Sequence, residues 1–290
     1  MRLRRLFLLF LLSLSLSLSL GSESKSPCSS RVRNLAVGSA VRQAVEAASL
    51  ADQATGRDGA AFSVLRGTEA AHLAADLATD GEVISLGSGP DVFRPLRDFP
   101  LARRIHLVDL MTGWGKGPAD VLGEIEQRLA ALGPVELVSS GFVPEAGKAI
   151  QSVAGMRSWQ HTHPTPRPRI WRVRVSGLPV TYLLHPVSYN STASIGPMLD
   201  ETTRLSAVMV TGAPIPDRGP VVALTAALAP GGVWLVEDFV APKTGESVLG
   251  DLKPLLELLT GAGFDDSVHG NYSEGWAALP LVHLLRKSGG

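Results

Sequence analysis

Cysteine is nearly absent from this chain of 290 residues, in which Cys28 is the only one. A single thiol excludes both an intramolecular disulfide framework and a zinc cluster built from thiolates. An excess of charge is also missing, because 27 basic residues balance 27 acidic ones. The composition therefore gives no electrostatic reason to expect a nucleic-acid partner.

Several familiar site signatures are missing as well. The chain has no phosphate-binding Gly-x-x-x-x-Gly-Lys-Ser/Thr loop. It also has no Gly-x-Ser-x-Gly nucleophile elbow, because Gly87-Ser-Gly89 has the wrong spacing. His161 and His163 alternate in a proline-rich segment that predicts a loop, and no neighbouring cysteine or acid completes a metal site. We therefore expect no bound metal.

The chain has an apolar run at residues 6–20, which is interrupted by serines and follows Arg2, Arg4 and Arg5. A basic start, a short apolar run and small residues after it are the pattern of a secretory signal peptide. We predict a signal peptide at residues 1–21, a polar linker at residues 22–31, and an exported protein that leaves the membrane once the signal is cleaved. The alternatives are an uncleaved anchor, or a mis-assigned start that leaves the protein in the cytoplasm.

The rest of the chain alternates between helical and strand patterns. Apolar residues recur at helical spacing within residues 32–80, which predicts an N-terminal helical extension that caps a crevice or covers a sheet. Residues 118–132 form the clearest amphipathic pattern. Short apolar segments alternate with further helical patterns, which predicts an α/β fold with a doubly wound, mostly parallel sheet. Four of these segments should be parallel strands of one sheet, namely residues 83–86, 105–108, 206–210 and 233–236.

The alternation fails at about residues 141–192, which we interpret as an insertion. Residues 170–175 and 179–187 flank Ser176-Gly177, and this pattern predicts a β-hairpin. The third parallel strand is then either residues 135–139 or the second arm of the hairpin. We favour the second arm, because a helical pattern and the next strand follow it directly.

A glycine turn and an acid form the most informative pattern. The strand at residues 83–86 runs into Gly87-Ser-Gly89, and a helical pattern follows. Glycine permits positive φ and lets a ligand approach the backbone without meeting a Cβ atom. The strand at residues 105–108 ends at Asp109, which a parallel sheet would place beside the same crevice. Strand, turn, helix, strand and acid predict a nucleotide-type ligand at the carboxyl ends of the strands.

This pattern resembles class I S-adenosylmethionine-dependent methyltransferases over about residues 83–287. The segment Leu228-Ala-Pro-Gly-Gly-Val-Trp-Leu-Val-Glu237 adds to the resemblance. Ser85 replaces the first acid of the family motif, and Asp91 replaces its third glycine. The resemblance implies a methyltransferase-like α/β domain at residues 81–290, closed by an antiparallel strand pair. It also implies S-adenosylmethionine as the cofactor, bound by four residues: Gly87, Ser88, Gly89 and Asp109.

Other side chains have competing interpretations. Asp91 caps the following helix or contacts the ligand's ammonium group, and we favour the cap. His185, near the end of a candidate third strand, is either packed or near adenine. Glu237 and Asp238 end the fifth strand and could supply a general base or cap a loop. A nicotinamide dinucleotide site is less well supported, because that fingerprint needs glycine where Val92 stands.

Two hypotheses for function result. The first is methyl transfer from S-adenosylmethionine to an unidentified, small-molecule acceptor, by catalytic residues that the sequence does not identify. The second is an exported, non-catalytic protein that keeps the fold and has lost the cofactor, which Ser85, Asp91 and the signal pattern favour. The sequence does not indicate an oligomeric state.

Overall fold

The computed structural model describes residues 27–54, 81–111, 117–141, 168–210, 213–240, 252–270 and 279–287. The chain divides into two compact units, Met1–Arg33 and Asn34–Gly290. The sheet belongs to the second unit. The predicted signal peptide, the second half of the predicted helical extension, and His161 and His163 lie outside the described residues.

Six helices and nine strands occur in the described part of the chain. The helices are α1 (Pro27–Ala54), α2 (Phe93–Asp98), α3 (Pro118–Leu132), α4 (Thr192–Glu201), α5 (Arg218–Ala227) and α6 (Lys253–Gly261). The strands are β1 (Glu82–Leu86), β2 (Arg104–Val108), β3 (Val135–Ser139), β4 (Arg169–Val175), β5 (Leu178–His185), β6 (Leu205–Val210), β7 (Leu228–Val240), β8 (Phe264–Gly270) and β9 (Leu279–Lys287). None of the helices in these residues is both long and apolar enough to span a membrane.

The nine strands form one sheet in the order β3-β4-β5-β2-β1-β6-β7-β9-β8. Strands β5, β2, β1, β6 and β7 are parallel to their neighbours within this group. The four predicted strands therefore share one parallel sheet, and that prediction is confirmed. Strand β9 is antiparallel to both β7 and β8, which confirms the closing pair that the resemblance implies.

The choice of third strand is settled by the pairing of β5. It lies parallel to β2 and antiparallel to β4, so the second arm of the hairpin is the third parallel strand. Strand β3 pairs antiparallel with β4 at the edge of the sheet. The hairpin turns at Ser176 and Gly177, both at positive φ of 48° and 83°. These backbone values bring the two strands into register, with Val175 opposite Leu178.

Helices cover both faces of the sheet, as the apolar composition of its strands requires. One buried cluster joins the sheet to α1, α2 and α3, through side chains that include Val45, Leu96 and Ile125. The second cluster joins the opposite face to α4, α5 and α6. The predicted doubly wound α/β fold, with an N-terminal helix and a hairpin insertion, is confirmed.

Two boundaries differ from prediction. Helix α1 begins at Pro27, whereas residues 22–31 were predicted as a linker. Proline suits the first turn of a helix, where its missing N–H is not needed. Strand β7 begins at Leu228, before the predicted residues 233–236, and so includes Pro230-Gly-Gly232, where the pairing with β6 shifts register between Leu205 and Ala207. Gly231 takes a φ of +72° there, so the turn residues produce an irregularity within the strand.

Candidate functional site

The candidate site lies where β1, β2 and β5 end, at the reversal of strand order in the sheet. Strand β1 lies between β2 and β6. The connection from β1 to β2 leads into one half of the sheet, and the connection from β5 to β6 crosses back to the other half. In open α/β sheets a crevice forms at this switch point, outside the carboxyl ends of the strands. Gly87, Ser88 and Gly89 directly follow β1, and Asp109 directly follows β2.

The two glycines of the turn serve different purposes. Gly87 has a φ of +64°, and a Cβ atom added to it would lie 2.2 Å from Cβ of Ala213. Gly89 has a φ of +50°, and a Cβ atom added to it would meet no atom of the described part of the chain within 4 Å. Close packing thus requires glycine at position 87. At position 89 glycine leaves an open approach to the backbone.

Asp109 connects the turn to the end of β2. Its Oδ2 atom accepts a hydrogen bond from the Gly89 N–H over 2.9 Å, and its Oδ1 atom accepts one from the Met111 N–H over 2.6 Å. Burial raises the pKa of the Asp109 carboxyl, and these two N–H groups oppose the rise. Each carboxylate oxygen has a second lone pair, so the side chain can still accept hydrogen bonds from a ligand.

The start of α2 is held by a different acid. Oδ1 of Asp91 accepts hydrogen bonds from the N–H groups of Phe93, at 3.0 Å, and Arg94, at 3.1 Å. This is the helix cap that the sequence favoured for Asp91. The Tyr182 hydroxyl donates to the Val92 carbonyl over 3.0 Å, which joins β5 to the same turn.

Ser88 lies between the two glycines, and its side chain is buried. Its hydroxyl has no hydrogen-bond partner among the described residues. An unpaired buried hydroxyl costs free energy. The turn therefore retains one polar group that the described protein atoms do not satisfy.

Glu237 does not have the surroundings expected of a general base. Strand β7 continues to Val240, so Glu237 is inside the strand and not at its end. Its side chain is 1% exposed and pairs with Arg94. Burial raises the pKa of Glu237, and the Arg94 charge opposes that rise. The carboxylate is committed to an ion pair under α2. The side chain of Asp238 lies outside the described residues.

Sequence reasoning missed two residues that border the turn. A Cβ atom at position 87 would lie 3.3 Å from Cε1 of Tyr189, and Ala213 packs against the same position. The Tyr189 hydroxyl donates to the carbonyl of Pro214 over 3.1 Å, which links the loops after β5 and β6. An aromatic residue four positions after a strand that ends at the crevice was the available signal.

His185 was predicted as either a packed side chain or a group near adenine. The structure buries it against His106, with Nε2 of His185 3.0 Å from Nδ1 of His106. Its backbone carbonyl accepts the Asp109 N–H over 3.2 Å, so His185 adjoins the crevice through its main chain. Among the described residues, no three His, Cys, Asp or Glu side chains form a group suited to a metal ion.

Comparison with known proteins identifies no sequence family, because no family model and no curated protein matches the chain. Solved structures resemble it in fold. The O-methyltransferase TomG from Streptomyces achromogenes, in complex with SAM, is 15% identical with a TM-score of 0.45, over 84% of this chain and 90% of that one. The N-methyltransferase NodS from Bradyrhizobium japonicum WM9, in complex with S-adenosyl-L-homocysteine, is 14% identical with a TM-score of 0.43, over 86% and 98%.

Both TM-scores are below 0.5, so the fold is assigned from the strand order and strand directions of this chain. Five parallel strands reverse their order at β1, and an antiparallel pair closes the sheet beyond β7. Together with the glycine turn, this arrangement defines a methyltransferase-like Rossmann fold.

Proposed function

We propose that the chain binds S-adenosylmethionine in the crevice after β1 and transfers its methyl group to a small-molecule acceptor. The observation that carries this proposal is the open approach at Gly89, where no atom of the described residues lies within 4 Å of an added Cβ. A ligand can meet the backbone there, at the switch point where α/β sheets bind nucleotides. The Gly89 N–H is already fixed by Asp109, so the turn is preorganised.

The remaining lone pairs of Asp109 fit the hydroxyl groups of a ribose. A carboxylate accepts hydrogen bonds only, and a diol supplies two donors. Methyl transfer itself requires in-line attack of a nucleophile on a sulfonium methyl group. A protein can promote such a reaction largely by positioning and electrostatics. The proposal therefore does not need Glu237 as a general base, and the ion pair of Glu237 with Arg94 is compatible with it.

The second candidate is an exported, non-catalytic protein that keeps this fold without the cofactor. Two observations favour it. Ser85, which replaces the acid of the family motif, is buried within β1. Both oxygens of Asp109 already accept backbone N–H groups, so a purely structural role explains that residue.

Calorimetry with the purified chain separates the two candidates. The methyltransferase proposal expects heat of binding with S-adenosylmethionine and S-adenosylhomocysteine, at ~1 μM affinity, equivalent to about −8 kcal/mol. A folded protein that produces no heat with either compound at millimolar concentration would refute it and favour the non-catalytic candidate. N-terminal sequencing of protein from its natural host tests export independently, because cleavage should leave a start between residues 22 and 30.

A further inference from the structure

Three buried side chains form a continuous hydrogen-bonded chain across the sheet. They are Glu82 of β1, His106 of β2 and His185 of β5, with exposed fractions of 4%, 0% and 6%. Nε2 of His106 lies 2.9 Å from Oε2 of Glu82, and Nδ1 of His106 lies 3.0 Å from Nε2 of His185. The two rings are nearly parallel, with centroids 5.2 Å apart.

The chain of contacts runs diagonally toward the crevice. Glu82 pairs with Arg104, two residues before His106. His106 in turn pairs with Leu183, two residues before His185. Each step therefore advances two residues toward the carboxyl edge of the sheet, on one face. The chain begins at the amino edge and ends at the residue whose carbonyl accepts the Asp109 N–H.

The contacts of Glu82 determine the direction of the hydrogen bonds. Its Oε1 atom accepts from the Thr203 N–H at 3.0 Å, the Thr203 hydroxyl at 2.6 Å and Nη1 of Arg104 at 3.2 Å. A carboxyl surrounded by these donors is an acceptor-only carboxylate. His106 must then donate to Oε2 through Nε2–H.

The remaining protons follow from neutral imidazole chemistry, in which one ring nitrogen donates and the other accepts. With its proton on Nε2, His106 presents a bare Nδ1. His185 must donate to that atom through its own Nε2–H. Its remaining nitrogen, Nδ1, is consequently bare. Among the described residues, no side chain or backbone group forms a hydrogen bond with that atom.

We propose that Glu82 fixes the tautomer of His185 through His106, so that Nδ1 of His185, on a strand that borders the crevice, is a hydrogen-bond acceptor. Glu82 and His106 are thus positioning residues. The tautomer itself does not depend on the proposed function.

Imidazole ¹⁵N NMR on the full-length chain at pH 8 tests the proposal. In the unmutated protein, the proton of the shared hydrogen bond should be covalently attached to Nε2 of His185, with coupling across the bond to Nδ1 of His106. Glu82→Gln should reverse both tautomers. The three donors around Oε1 hold the amide oxygen there, so the amide NH₂ faces His106 and donates to Nε2. His106 then donates through Nδ1, and the proton of His185 moves from Nε2 to Nδ1.

Thr203→Val is the matched control, because it removes one donor to Glu82 and leaves the carboxylate charged. Both histidines should keep their tautomers in that variant. The proposal is overturned if folded Glu82→Gln leaves the His185 proton on Nε2. If Glu82→Gln does not fold, the unmutated protein still decides, since a shared proton covalently attached to Nδ1 of His106 overturns it. Neither measurement uses a ligand, so a failure here is distinct from a failure of the methyltransferase proposal.

Discussion

Arg94 of α2 donates a hydrogen bond to Glu237 of β7 across 143 residues of sequence, with Nη1 2.5 Å from Oε2. The two side chains are 5% and 1% exposed. Asp98 lies on the other side of Arg94, with Oδ2 3.4 Å from Nε. The contact therefore fixes α2, the helix that follows the glycine turn, to strand β7. The position of the glycine turn beside the crevice therefore depends on a buried pair of charges.

We expect each single substitution of this pair to be more destabilising than both together. Arg94→Met should lower the free energy of unfolding by about 3–5 kcal/mol, because it leaves the buried Glu237 carboxylate without its partner. Glu237→Leu should cost less, because Asp98 still pairs with Arg94. The double variant should recover much of that loss, since it removes both charges. Urea unfolding of the four proteins measures the coupling. Lys253 and Glu257 provide a control pair, at 3.8 Å and 77% and 67% exposed, whose substitution should change stability by less than about 1 kcal/mol. Additive losses for Arg94 and Glu237 would contradict the expectation.

The two glycines of the turn should respond differently to alanine. Gly87→Ala should destabilise the fold by about 3 kcal/mol or more, because it adds a clash with Ala213 to the strain of positive φ. Gly89→Ala should cost only about 1–2 kcal/mol, since it adds strain in open space. Its methyl group would nevertheless occupy the approach to the backbone, so binding of S-adenosylmethionine should fall at least tenfold.

Gly177→Ala is the control for Gly89→Ala. Gly177 also has a positive φ, and no atom of the described residues lies within 4 Å of an added Cβ, but it lies before β5, at the opposite edge of the sheet. The two variants should unfold at similar urea concentrations, and only Gly89→Ala should lose affinity in calorimetry. Equal affinities in both would show that no ligand approaches Gly89.

Asp109 should contribute to both stability and binding. Asp109→Ala removes two hydrogen bonds to a charged acceptor, which should cost about 2 kcal/mol of stability. It also removes the proposed ribose acceptor, which should lower affinity roughly tenfold or more. Asp91→Ala is the matched control, because it removes a helix cap worth about 1 kcal/mol and leaves Asp109 in place. If the Asp109→Ala protein is folded and binds S-adenosylmethionine with unchanged affinity, Asp109 has a structural role only.

The parallel strands were predictable because their signal is local. Residues 83–86 and 105–108 are apolar on both faces, and only a covered parallel sheet buries both faces of a strand. Asp109 and Gly89 could be placed together for the same reason, since adjacent parallel strands end at one edge. The Arg94–Glu237 pair could not be predicted, because charge alone does not show which helix residue meets a strand residue far along the chain. Nor could the hydrogen bond between His106 and His185, which depends on the register between β2 and β5.

The same histidines and Glu82 predict instability in acid. Burial is the main cause that lowers the pKa of His185 from 6.5 to about 3, and the nearby Arg104 charge acts in the same direction. Burial works to raise the pKa of Glu82, but hydrogen bonds from His106 and Thr203 and the charge of Arg104 lower it from 4.5 to about 2. In both cases the unfolded chain binds a proton that the folded chain does not. Stability therefore falls as the pH falls, from about pH 6.5 for His185 and from about pH 4.5 for Glu82.

For one such group, the free energy of unfolding changes by at most about 1.4 kcal/mol per pH unit. Asp109 and Glu237 act in the opposite sense, because burial raises the pKa of each and the folded state then binds the proton more readily. Comparison with His185→Gln cancels these contributions. Between pH 6.5 and pH 5, the free energy of unfolding of the unmutated protein should fall more steeply than that of the variant. Tyr189, whose pKa is raised by burial and by Asp109, remains uncharged throughout this range. Urea unfolding at closely spaced pH values gives both slopes, and parallel slopes would show that His185 takes up its proton equally well in the folded protein.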